Sequence, residues 1–152
     1  MFWDKQKQFT KCASNYWRNM EKTMSNEMSV SKRMIPISKV PNIEPRDSLK
    51  KALDLMTKFS LGICIIKTEE GKLEGILTDG DLRRLILTVQ NPLPALLVSE
   101  ALEFGTKNPK FVLADSSLAE AVILMDEKQI WDLPVLDSEG KVTGVLNRHN
   151  LG

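Results

Sequence analysis

At 152 residues the chain is long enough for one domain with a real core, or for two small repeats sharing one, and too short for an enzyme joined to a regulator. Hydrophobic content of 42% with 27% charged residues is that of an ordinary globular protein and excludes wholesale disorder. A net charge of +1, from 21 basic and 20 acidic residues, provides no long-range field to collect DNA or RNA, so no nucleic-acid partner is expected.

The start, Met1-Phe2-Trp3-Asp4-Lys5, lacks the order of a secretory signal, and no apolar stretch approaches the roughly 18 residues a membrane span needs. Phe9, Cys12, Ala13, Tyr16, Trp17, Met20 and Met24 fall on one face at helical spacing, which predicts an amphipathic helix within an N-terminal segment over 1–33. Packing on its own chain or on a partner's is the reading taken, over binding at a membrane surface. Cys12 and Cys64 have no metal-ligand spacing, and Cys64 lies in an apolar run as a small buried hydrophobe. A reducing cytoplasm is expected.

Further along, a short extended piece around Ile43 precedes Leu49, Ala52, Leu53 and Met56, whose i, i+3, i+4, i+7 spacing predicts one buried helix face capped by Asp47. Ile63-Cys64-Ile65-Ile66, Glu70-Gly71 and Leu73 to Leu77 read as two strands joined by a glycine-containing hairpin turn. After Thr78, the run Asp79-Gly80-Asp81-Leu82-Arg83-Arg84-Leu85-Ile86-Leu87 is helical in pattern until Pro92 and Pro94 break it.

Sliding the sequence against itself by 69 positions aligns Ser48 to Leu82 with Ser117 to Leu151 without a gap, an internal duplication. An extended piece near Phe111-Val112 is thus followed by a helix carrying Leu118, Ala121, Val122 and Met125. Ser117 and Glu120 are spaced as a capping box for it. The strands Leu133-Pro134-Val135-Leu136 and Val142 to Leu146 flank Glu139-Gly140. Gly75 and Gly144 interrupt the second strand of each hairpin at equivalent places, where a missing side chain permits close backbone approach.

The predicted fold class is therefore α/β (α+β): tandem β-α-β-β-α repeats with an extra N-terminal amphipathic helix. Repeat one spans 34–90, a connecting segment 91–110, and repeat two 111–152, where the chain stops at Leu151-Gly152 just as a closing helix is needed. The N-terminal helix is expected to cover part of the surface that closing helix would cover.

This order, duplication and pair of strand-to-helix junctions resemble CBS-domain pairs, or Bateman modules. Leu61-Gly62-Ile63, the run from Gly71 to Arg84, Leu133-Pro134-Val135-Leu136-Asp137 and the run from Gly140 to Leu146 are most similar to the C-terminal CBS pair of sugar-phosphate isomerases of the arabinose-5-phosphate isomerase type. A string like Thr78-Asp79-Gly80-Asp81-Leu82-Arg83-Arg84 also occurs in CBS pairs attached to sugar nucleotidyltransferases. The resemblance covers about residues 34 to 151 and implies a regulator without its enzyme, since nothing here could be the catalytic sugar-isomerase domain. It further implies a homodimer through the CBS repeats, an attached or partner isomerase domain, no required cofactor, and an adenine nucleotide or sugar nucleotide as possible ligand. A purely structural dimerisation module with no ligand is the alternative.

In nucleotide-binding CBS pairs, the position matching Asp81 contacts ribose hydroxyls and that matching Thr78 lies near the phosphates; a carboxylate suits a diol because it can accept both protons. Thr-x-x-Asp is equally a helix-capping arrangement, and both readings stay open. Asp79 adds a second negative charge at that helix start, so Arg83, Arg84, Arg148 and His149 are the cations available to a phosphate, each with a solvated-surface reading beside it. Asn147 and Asn150 replace Thr and Asp in repeat two, which predicts a weaker or differently selective second site. Ile63, Leu133 and Pro134 stand where backbone groups meet a base. Trp131, beside them, is expected in the core as a large aromatic.

Overall fold

The computed structural model describes residues 28–151. The predicted helix from Phe9 to Met24 lies outside the described residues.

Two helices open the repeats in register with the duplication, α1 over Leu49–Phe59 and, 69 positions on, α4 over Leu118–Lys128. Leu49, Ala52 and Met56 are buried on the first, and Leu118, Ala121, Val122 and Met125 on the second, as the apolar spacing predicts. The cap of α1 is Ser48 rather than Asp47: the Ser48 hydroxyl accepts from the Lys51 N–H at 3.3 Å. Asp47 stands one residue too early and instead accepts from the Glu44 N–H at 2.8 Å and pairs with the Lys51 ammonium at 2.7 Å. On α4 the Ser117 hydroxyl accepts from the Glu120 N–H at 3.1 Å, the forward half of the predicted box. Both helices end on a residue in the left-handed region, Ser60 (φ 53) and Gln129 (φ 54), which turns the chain back toward a strand.

The strands form two four-stranded sheets. In the first, β2 (Asn42–Ile43) runs parallel to β3 (Ile63–Lys67), which pairs antiparallel with β4 (Leu73–Thr78), and β4 with β5 (Thr106–Lys107). In the second, β6 (Val112–Leu113) runs parallel to β7 (Asp132–Leu136), β7 pairs with β8 (Val142–Asn147), and β8 with β1 (Ile35–Pro36). Each sheet is thus closed by an edge strand from the segment that leads into the other repeat. This exchange explains the paired glycines. A Cβ at Gly75 would come within 2.9 Å of the Thr106 carbonyl oxygen, and one at Gly144 would collide with that of Ile35.

Pro92 and Pro94 do not simply end structure. After α2 (Asp79–Thr88) they begin another helix, α3 (Leu93–Val98), as its cap and second residue. There the missing N–H is one the helix would leave unpaired anyway. Leu96 of α3 and Ala101 beyond it join the core under the first sheet with Leu49, Met56, Cys64 and Leu77. Leu118, Met125, Leu133 and Leu146 build the matching core of repeat two. A third cluster, with Val40, Ile63, Ile65 and Ile76 from one half and Leu136, Val142 and Val145 from the other, fuses the repeats. At its end the hairpin tips meet. Gly71 (φ 91) and Gly140 (φ 81) make the turns, Val142 donates to the Gly71 carbonyl at 2.9 Å, and Lys72 and Lys141 form a bridge.

Candidate functional site

Each hairpin starts at a docked tip and ends at a strand-to-helix junction, so the two junctions lie together at the far ends of β4 and β8. At the first, Thr78 and Asp81 form a full capping box. The Asp81 N–H donates to the Thr78 hydroxyl oxygen at 3.3 Å, while Asp81 Oδ2 accepts from the Thr78 N–H at 2.9 Å and its hydroxyl at 3.0 Å. Arg84 donates to Asp81 Oδ1. Asp81 is only 5% exposed, so both its oxygens are engaged within the chain. Thr-x-x-Asp thus serves as a helix cap.

Asp79 differs. It is exposed, its N–H donates to the Gly62 carbonyl at 3.1 Å, and its carboxylate folds over Gly62, where a Cβ would stand 2.5 Å from Asp79 Oδ2. Ile63, paired in register with Thr78, is buried at the start of β3.

At the second junction the backbone geometry repeats, with Arg148 donating to the Trp131 carbonyl at 2.9 Å, but the chemistry changes. Asn147 bridges two elements: its oxygen accepts from the His149 N–H at 2.8 Å and its amide donates to Asp132 Oδ1 at 2.6 Å. Asn150 is exposed at the end of the short turn Arg148–Asn150. The expectation of a core tryptophan is overturned. Trp131 is 59% exposed, its ring stacked on His149 with centroids 5.5 Å apart and the Arg148 guanidinium 5.7 Å from its centroid. Position 131 matches Gly62, outside the apolar face of α4 and outside the strand, so its side chain has no core to enter. Arg148 also pairs with Asp126. Leu133 and Pro134 are buried, Leu133 with no exposed surface.

Asp132 is the residue that sequence reasoning passed over. It matches Ile63, an apolar buried position, and the signal was there: a carboxylate where the duplication calls for an aliphatic residue. Burial pushes its pKa up, the Asn147 donor and nearby His149 oppose this, and the Asp79 charge across the junctions adds to it. The two junctions are therefore within electrostatic reach of each other. Elsewhere, burial pushes the Cys64 thiol up to about 12. Among the described residues no His, Cys, Asp and Glu group is suited to hold a metal, and no helix is long and apolar enough to cross a membrane.

Duplicated β-α-β-β units with exchanged edge strands and adjoining junctions define a tandem α+β module. The family model for the CBS domain matches residues 30–88 and 99–151, and the chain belongs to that family. It is 36% identical over 121 residues to an uncharacterized protein of Helicobacter pylori, covering 79% of this chain and 35% of that protein. It is also 36% identical over 115 residues to arabinose 5-phosphate isomerase KdsD of Pseudomonas aeruginosa, covering 74% and 33%. The chain thus spans about a third of the length of these relatives. Among solved structures, that of CBSX2 in complex with AMP superposes with a TM-score of 0.70 at 26% identity, covering 81% of this chain and 92% of that one.

Proposed function

We propose that the protein is a ligand-sensing CBS pair that binds an adenine nucleotide or sugar nucleotide across its two strand-to-helix junctions and regulates or oligomerises a sugar-phosphate isomerase of the arabinose-5-phosphate type. The observation that carries this reading is the pair of adjoining junctions, in a chain whose relatives include KdsD and whose structural neighbour CBSX2 has been solved with AMP. Asp79, exposed and turned over Gly62, is the open acceptor for ribose hydroxyls. Thr78 and Asp81 hold the helix start, Arg84 braces Asp81, and Asn147, Arg148, His149 and Asn150 complete the site from repeat two. Ile63, Leu133 and Pro134 offer backbone to the base. The functional units are the repeats over 34–90 and 111–152, working in a cytoplasmic homodimer.

Two carboxylates near one another, Asp79 and Asp132, disfavour added negative charge. AMP is therefore expected to bind more tightly than ADP or ATP. Thermal shift with AMP, ADP, ATP and a sugar nucleotide tests the proposal, since a ligand at 100 times its Kd stabilises by about 2.7 kcal/mol. A shift with AMP that shrinks in Asp79→Asn is the expected result. No shift with any of these ligands overturns ligand sensing and leaves the dimerisation reading.

A further inference from the structure

The segment that crosses from β5 into β6 has a space beneath it. Ahead of β2, the Pro41 carbonyl accepts from the Ile65 N–H at 2.8 Å, and Val40 beside it is fully buried in the central cluster. The residue of β7 that matches Ile65 is Pro134, which has no N–H to give. Lys110, which matches Pro41, is left without that tether and is exposed, and Phe111 after it is 48% exposed. Pro109, matching Val40, is buried. The chain approaches them through Asn108, in the left-handed region at φ 50.

Under this crossing lies a cavity of about 390 Å³, walled by Leu73, Phe111 and Leu136, with Lys72 and Lys110 among its lining residues. Neither lysine has an ion-pair partner among the described residues. The cavity sits at the hairpin tips, the end of β4 and β8 opposite the junctions, and is separate from the nucleotide site. Its volume is that of a small-molecule pocket, with apolar walls and a few placed charges.

We propose that this cavity binds a compact organic anion carrying a flat apolar ring. The ring lies against Phe111, Leu73 and Leu136, where aromatic contact and burial stabilise it, and the anionic group meets the ammonium groups of Lys72 and Lys110. Because Lys72 and Leu73 belong to one hairpin and Leu136 to the other, the occupant fastens the two repeats together at their tips.

Titration of the full chain with 8-anilinonaphthalene-1-sulfonate, a ring sulfonate whose fluorescence rises in apolar sites, tests the proposal. The expected result is one saturable site whose Kd rises at least tenfold in Lys72→Glu/Lys110→Glu and in Phe111→Ala. The charge-reversed variant is expected to keep the wild-type melting temperature and AMP response. If it unfolds instead, the milder Lys110→Gln, expected to bind several-fold more weakly, decides. Absence of saturable binding, or wild-type affinity in folded variants, overturns the proposal; the latter would move the probe to the exposed helix face of Ile86 and Leu87.

Discussion

Asp132 is the most informative single residue. Its carboxyl is held above the ordinary value of 3.8 chiefly by burial, with Asp79 adding to the shift. A raised folded-state pKa means that the native chain binds the proton more tightly than the unfolded one. Stability contributed by this group is therefore fully present below 3.8 and is lost as pH rises through the raised value. At pH 7 the buried charge costs stability. Asp132→Asn keeps an oxygen for the Asn147 amide and removes the charge, so its melting temperature at pH 7 should equal or exceed that of the parent, with a flatter profile above pH 4 or so. A lower melting temperature at pH 7 would show that the charge itself is stabilising. Cys64, buried with its thiol pushed up to about 12, should resist a thiol reagent until the chain unfolds.

At the scale of elements, the exchanged edge strands depend on glycine. Gly75 lies against β5 and Gly144 against β1, each with a backbone carbonyl where a Cβ would go. Backbone cannot rotate aside as a flexible side chain can. Gly75→Ala and Gly144→Ala should each destabilise by about 1–3 kcal/mol, the usual cost of overpacking, measured by urea unfolding. Gly140→Ala meets no atom within 4 Å, but its φ of 81 strains an alanine, so it should cost less than Gly144→Ala. Equal effects at the two sites would refute the close-approach account. The duplication already marked both glycines as sites of close approach. That the approaching strand comes from the other repeat's leading segment was not legible, because two-residue strands such as Ile35–Pro36 and Thr106–Lys107 carry no periodicity to read.

For the whole molecule, a shared central cluster and reciprocal strand exchange make two repeats one folding unit. Urea unfolding followed by circular dichroism and by tryptophan fluorescence should coincide; two separated transitions would show independent repeats. Ile86 and Leu87 of repeat one, with Leu93 and Val98 of the connecting segment, are 62 to 79% exposed, apolar surface of the kind that marks an interaction site where it is contiguous. If these residues form the proposed dimer face, Ile86→Glu with Leu87→Glu should convert dimer to monomer in sedimentation equilibrium while leaving the melt of the monomer intact. An unchanged dimer would place the interface elsewhere.

The paired strand-to-helix junctions were legible by themselves because they rest on local chemistry. Apolar spacing, a hydroxyl before a helix and a glycine in a tight turn are decided within a few residues, and a 69-position offset repeats them. Their contents were not. Whether Trp131 is buried turns on which side of β7 the chain leaves from. Asp132 owes its raised pKa first to burial, with a charge in the other repeat adding to it, and at the tips Pro134 withholds one N–H from Lys110, 24 positions away in sequence. Contacts of that kind exist only after the two sheets have packed, so tertiary structure alone decided them.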